Sequence, residues 1–176
     1  QTRKLMEVCR MRKTPVMIFV NKLDREGRDP FDILDELESE LKISVRPLSW
    51  PINIGAHFKG VYNIYEHSLD LFTPNKQQVT ERVEIDDIND PAIDKGVGET
   101  DAAKLRDDLE LIDGVYPEFD KAEYLKGEVA PVFFGSALKL SGIEEFLEGL
   151  ESYTLKQKAD IAEEDKDIFK AKVYKI

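Results

Sequence analysis

The fold is decided by residues 15–24, which read PVMIFVNKLD, a continuous apolar run that ends abruptly in a polar turn. A short run rich in β-forming residues is typical of a strand buried on both faces of a parallel sheet. Residues 130–138, APVFFGSAL, repeat the arrangement. Ligands of open α/β sheets bind at the carboxyl ends of the strands. Both turns are therefore predicted to lie at the ligand-binding edge of one sheet.

A helix is predicted after each of the two turns. The first begins at Pro30 with Asp29 as its cap, and Phe31, Leu34, Leu37 and Leu41 recur at helical spacing. The second follows residues 136–138, where Ser141 and Glu144 have the spacing of a capping box. Its predicted buried face carries Ile143, Phe146, Leu147, Leu150 and Tyr153. The flanking segments thus predict a strand–helix unit on each side of a different block.

That block is rich in β-forming residues. Extended chain is predicted over 45–54, a hairpin over 61–72 that turns near 66–68, and a third strand over 79–85. A helix is predicted over 101–112 and a short helical turn over 119–125. The predicted domains are an α/β unit made of residues 1–45 and 128–154, and an inserted α+β subdomain made of residues 46–127. Residues 155–167 are predicted to be a linker, and residues 169–176 are predicted to form a strand.

Composition and charge exclude several classes of protein. The 176 residues carry a net charge of -11, and residues 81–123 alone hold fifteen acidic and five basic residues. Such a segment repels nucleic-acid phosphates; it could attract a basic protein or serve only as a solvated face. A single cysteine excludes an internal disulfide. One cysteine and two well-separated histidines also argue against a zinc site. No apolar run approaches the roughly 20 residues of a membrane span, and a reducing cytoplasm is expected.

The two turns have the chemistry of guanine recognition. The Asp24 carboxylate can accept two hydrogen bonds from guanine, from its ring N–H and its exocyclic amine, whereas adenine offers neither donor there. Lys22 can lay its methylene stem over the flat base, and Asn21 can bind a ring nitrogen or brace the neighbouring loops. The backbone N–H of Ala137 can reach the guanine carbonyl, and Ser136 can orient Asp24. The alternative is two ordinary polar loops that cap helices.

Motifs for phosphate handling are absent from the sequence. Phosphate binding needs a glycine-rich loop that ends in Lys-Ser/Thr, and an Asp-x-x-Gly that approaches magnesium. Residues 55–60 have the glycine spacing, but Val61 stands where lysine is required. Residues 24–27 match Asp-x-x-Gly only inside the turn that would bind the base. We therefore identify no catalytic residue and no metal ligand in this chain.

The two turns resemble the guanine-specificity motifs of GTPases. The insert between them is similar to the extra subdomain of the elongation factor G group of translational GTPases. Within that group, residues 58–62, 97–99, 105–107 and 131–138 resemble the bacterial peptide chain release factor three family. The resemblance covers about residues 10–153, and the last strand is similar to the start of the family's β-barrel domain. The linker departs from the family because residues 154–167 lack the expected prolines.

The resemblance implies the C-terminal half of a P-loop GTPase-type parallel sheet with an inserted α+β subdomain. It implies that Asn21, Lys22, Asp24, Ser136, Ala137 and Leu138 contact the base. The complete protein would bind GTP or GDP with Mg²⁺, hydrolyse GTP in the cytoplasm and recycle stop-codon-reading release factors. The chain alone would hold no cofactor and be inactive, because the phosphate-handling parts precede it in the family.

The resemblance also implies partners. These would be the ribosome, including stalk proteins of its large subunit, and the release factors, without sequence-specific nucleic-acid binding or a membrane. Two alternatives stay open from the sequence. One is a translocase of the elongation factor G type, and the other is a stalk-docking module without nucleotide function.

Overall fold

The computed structural model describes residues 2–72 and 80–153. Its first sheet has three parallel strands in the order β1-β7-β2, with β1 at Ile18–Val20, β7 at Val129–Phe134 and β2 at Ser44–Pro47. All six residues of the central strand β7 are buried, as its apolar sequence predicts. This sheet confirms the predicted α/β fold class.

Strand β1 is shorter and less buried than predicted. It begins at Ile18, and its three residues are only partly buried. The physical reason is its position, because within the described residues β1 pairs with β7 on one side alone. Its register places Val20 beside Phe134. The two strands therefore end side by side, and both polar turns leave the same edge of the sheet.

Helix α2 forms where the sequence predicts it, at Pro30–Leu41. The Asp29 carboxylate accepts a hydrogen bond of 2.9 Å from the N–H of Phe31, which satisfies one of the free donors of the first turn. Leu34 and Leu41 are buried. Helix α1, Thr2–Met11, precedes β1 and buries Met6 in a cluster with Leu41.

Helix α6, Ile143–Tyr153, buries only part of the face predicted for it, because Tyr153 and Phe146 pack in the core and the two leucines do not. Its buried residues are Glu145, Gly149 and Tyr153, whereas Leu147 and Leu150 are 55% and 41% exposed. A Cβ added at Gly149 would lie 2.7 Å from the Phe133 ring. Helix α6 thus packs against Phe133 with the face that carries Gly149, and this orientation exposes the two leucines.

The predicted capping box at α6 is wrong. The helix begins at Ile143, so Ser141 lies before the capping position. Its buried hydroxyl has no hydrogen-bond partner among the described residues. The backbone of Ser141 instead pairs with that of Ser136, and this pairing closes the turn after β7.

The parallel sheet includes residues beyond the expected start of the insert. Strand β2 pairs in parallel with β7, from Ser44 beside Val129 to Pro47 beside Val132, so the boundary expected between residues 45 and 46 falls inside a strand of the first sheet. The second sheet is antiparallel, with strand order β3-β4-β5-β6. Its strands are β3 at Ser49–Ile52, β4 at Gly60–Asn63, β5 at Ser68–Phe72 and β6 at Thr80–Glu84.

The hairpin and the third strand are confirmed by this sheet, although Val79 of the predicted strand lies outside the described residues. Helix α4, Glu99–Val115, and helix α5, Lys121–Lys126, also match predictions. Helix α3, Pro91–Val97, was not predicted. Its signal was present, because Asp90 caps a helix that begins at Pro91, as Asp29 caps one that begins at Pro30.

One hydrophobic cluster joins the two sheets. It contains Leu34 and Phe134 of the parallel part together with Trp50 and Leu105 of the insert. Trp50 is 1% exposed, and its ring lies 4.6 Å from that of Phe31 and 5.3 Å from that of Phe134. Because this core is shared, deleting the insert would also expose apolar side chains of the parallel sheet to solvent.

The other face of the antiparallel sheet is polar where it meets α6. Asp70 on β5 is 3% exposed and lies beside Arg82 on β6. Arg82 forms ion pairs with Glu66 at 2.5 Å and with Glu148 of α6 at 3.2 Å. Burial raises the pKa of Asp70 to about 6, Arg82 opposes the shift, and Glu144, Glu148 and Glu66 add to it. The Oδ1 atom of Asp70 has no hydrogen-bond partner among the described residues.

We expect Asp70→Asn to change how stability depends on pH. A carboxyl group whose pKa is higher in the folded state contributes stability that is fully present below its unfolded pKa and is lost as pH rises through about 6. At pH 8 the variant should therefore gain about 1–2 kcal/mol in the free energy of unfolding. Urea unfolding at pH 5 and pH 8 measures this difference. The exposed Asp107→Asn is the control, and an unchanged pH slope in Asp70→Asn would contradict the expectation.

Candidate functional site

The two polar turns are joined through their backbones. The N–H of Gly135 donates to the carbonyl of Val20 at 3.0 Å, and the N–H of Leu23 donates to the carbonyl of Gly135 at 3.2 Å. Lys22 adopts a left-handed backbone conformation with φ of 72°. These bonds continue the pairing of β1 and β7 past the strand ends. The predicted base-contacting residues of both turns are therefore brought to one edge.

Asn21 braces the two turns. Its Oδ1 accepts one hydrogen bond from the N–H of Lys22 at 2.7 Å and another from the N–H of Ala137 at 2.9 Å. Two roles were expected for Asn21, binding a ring nitrogen and bracing the loops, and its contacts are those of the bracing role. The Ala137 N–H, which was expected to reach a guanine carbonyl, donates to Asn21 instead. A bond from this N–H to a base would have to share or replace that contact.

Asp24 is held by the second turn. The Ser136 hydroxyl donates to Asp24 Oδ1 at 2.5 Å across 112 residues of sequence. The same hydroxyl oxygen accepts a bond of 3.3 Å from the N–H of Lys139. Ser136 is fully buried, and Asp24 is half-buried. Because its oxygen accepts from Lys139, the Ser136 hydroxyl is oriented with its proton toward the Asp24 carboxylate.

The second turn has a rigid base and an exposed tip. The N–H of Ser136 donates to Ser141 at 3.0 Å, and the N–H of Ser141 donates back at 3.1 Å. A Cβ at Gly135 would lie 2.3 Å from the Ser141 carbonyl oxygen, so the close approach requires glycine. Leu138 lies at the tip and is 74% exposed. It is available to flank a ligand but contributes nothing to the core.

Two contacts of this site were missed by the sequence interpretation. Leu23, between the polar residues of the first turn, is 6% exposed and packs in the hydrophobic cluster shared with the insert. Its carbonyl accepts a bond of 2.8 Å from the N–H of Gly55. An apolar residue inside an otherwise polar turn was the available signal for the first contact. The sequence held no signal for the second.

The Asp24 carboxylate is the hydrogen-bond acceptor that the two turns place at their shared edge. A half-buried carboxylate oriented by a hydroxyl suits two adjacent N–H donors. Among residues 2–72 and 80–153, no cluster of three or more His, Cys, Asp or Glu is placed to hold a metal ion. Over the same described ranges, no helix combines the length and apolarity needed to cross a bilayer.

The parallel sheet and the mixed α/β content are those of a P-loop GTPase-type fold. Residues 1–156 match the family model described as the elongation factor Tu GTP binding domain. The chain belongs to this family of translational GTPases. Proteins with this domain bind guanine nucleotide, generally with Mg²⁺, and act with the ribosome.

Proposed function

We propose that this chain carries the base-reading half and the insert of a GTP-hydrolysing translation termination factor of the release factor three type. The observation that supports base reading is the Asp24 carboxylate, which Ser136 orients at the edge where both turns meet. The termination role is supported by the segments at 58–62 and 131–138 that resemble that family. The working protein would be cytoplasmic and would release stop-codon-reading factors from the ribosome.

Each residue of the site receives a role under this proposal. Asp24 accepts two hydrogen bonds from guanine, and the Lys22 stem covers one face of the base. Asn21 braces the turns and can exchange its bond to Ala137 for one to the base. Leu138 flanks the base from its exposed position. Mg²⁺ and the hydrolytic chemistry belong with the phosphates, and we propose no catalytic residue in this chain.

We propose the insert, residues 46–127, as the docking surface for the ribosome. A cavity of about 560 Å³ on it is lined in part by the apolar residues Ile64, Ile88 and Leu109. Four carboxylates also line it, Asp86, Asp87, Glu110 and Asp113, together with one guanidinium, that of Arg106. One carboxylate of helix α4 faces the core, because Asp108 accepts a bond of 2.9 Å from Trp50 Nε1. By resemblance the partners are stalk proteins of the large subunit, and because those are themselves acidic, apolar contacts would dominate.

A test of the termination role uses the complete protein and ribosomes stalled at a stop codon. With GTP, we expect faster dissociation of a fluorescently labelled stop-codon-reading release factor, measured by stopped flow. Pre-translocation ribosomes provide the comparison, because a translocase would advance their tRNAs. Movement of tRNA without release-factor dissociation would contradict the proposal and favour the translocase alternative.

A further inference from the structure

The base-reading turn is attached to the insert at Leu23. The Leu23 carbonyl accepts a bond of 2.8 Å from the Gly55 N–H, and the Leu23 side chain shares a hydrophobic cluster with Phe58 and Val61 of the insert. Leu23 immediately precedes Asp24 in the chain. Its carbonyl belongs to the peptide unit whose nitrogen is that of Asp24. A shift of the insert at Gly55 must therefore move the backbone that carries the Asp24 carboxylate.

The same glycine also meets the other side of the turn. Gly55 opens the short 3₁₀ helix Gly55–His57 with φ of 66°. A Cβ added there would lie 2.5 Å from Oε1 and 2.8 Å from Cδ of Glu26. Gly55 thus contacts residue 23 by a hydrogen bond and lies beside the carboxylate of Glu26, the flexible end of an exposed side chain. Asp24 lies between these two contacts.

We propose that Gly55 is a positioning residue for guanine recognition, through which the insert sets the geometry of the Leu23–Glu26 turn. This proposal rests on the proposed role of Asp24. Hydrogen bonds weaken steeply with misalignment, and a carboxylate that accepts two parallel bonds is especially sensitive. Ser136 holds Asp24 from the parallel sheet, and Gly55 holds its backbone from the insert. Guanine selectivity then depends on a residue that does not contact the base.

The test compares GDP with IDP in the complete protein. Hypoxanthine lacks the exocyclic amine of guanine, so the ratio of the two dissociation constants reports the second bond to Asp24. We expect Gly55→Ala to weaken GDP binding about tenfold and to reduce this ratio, written as the Kd of IDP divided by the Kd of GDP, about three- to tenfold. A uniform loss of stability would lower both affinities and leave that ratio unchanged. An unchanged ratio in folded Gly55→Ala would overturn the proposal.

Matched variants separate the possible causes. Gly98 in the insert also has a positive φ, +90°, but a Cβ there meets nothing within 4 Å. Gly98→Ala should therefore keep the wild-type ratio. An alanine at position 55 is strained by the φ of +66°, whereas the exposed Glu26 carboxylate can move aside. Adding Glu26→Ala to Gly55→Ala should therefore not restore the ratio. Recovery in the double variant would assign the effect to the clash with Glu26 and contradict a role of the bond from Gly55 to Leu23.

Two further measurements keep the outcomes distinct. If Asp24→Ala leaves the ratio of the two dissociation constants unchanged, the proposed base reading fails. If Asp24→Ala changes that ratio and Gly55→Ala does not, base reading stands and the positioning role fails. If Gly55→Ala does not fold, amide exchange in the unaltered protein decides. Bound GDP should slow exchange of the Gly55 N–H, because a turn fixed on the base holds its acceptor in place. No change in that exchange on adding GDP would refute the positioning role.

Discussion

Asp24→Asn in the complete protein is expected to lose guanine nucleotide and gain xanthine nucleotide. An Asn amide cannot accept from both guanine donors, but its NH₂ can donate to the carbonyl that xanthine has where guanine has its amine. Ser136 would still donate to the remaining Oδ1, as it does to Asp24 at 2.5 Å, so the amide nitrogen would face the base. GDP affinity should fall by about two to four decades, the loss expected from charge-assisted hydrogen bonds.

Competition binding with GDP and xanthosine diphosphate measures the switch. Asp32→Asn removes the same charge from an exposed position in the helix after the turn and should leave both affinities unchanged. A variant Asp24→Asn with wild-type GDP affinity and no gain for the xanthine nucleotide would show that Asp24 does not read the base.

The 176-residue chain by itself is expected to hydrolyse no GTP and to bind GDP several decades more weakly than the complete protein. Its sequence contains no glycine-rich loop ending in Lys-Ser/Thr. Each missing charge-assisted phosphate contact is worth about 1.5–3 kcal/mol, and every 1.4 kcal/mol is tenfold in affinity. Calorimetry on both proteins measures the difference. Circular dichroism first confirms that the short chain is folded, and micromolar GDP binding by it would then refute the expectation.

The sequence by itself determined the local features of this protein. The apolar runs at 15–20 and 130–134 and the polar turns after them predicted the parallel strands and the edge that carries the site. Asp29–Pro30 predicted the start of α2, and the hairpin over 61–72 was confirmed. Each of these depends on residues close together in the chain, where backbone preference and hydrophobic period act directly. The same local signal at Asp90–Pro91 was available for α3.

Only the tertiary structure decided which local elements meet. Residues 44–47 pair with a strand that lies about 85 residues later in the chain, and no local sequence pattern identifies such a distant partner. Gly149 settled the buried face of α6 because only a residue without a side chain allows close contact with Phe133. The site divides in the same way. Its residue types were readable from the two turns, but the bonds from Asn21 to Ala137 and from Gly55 to Leu23 arise only when distant segments fold together.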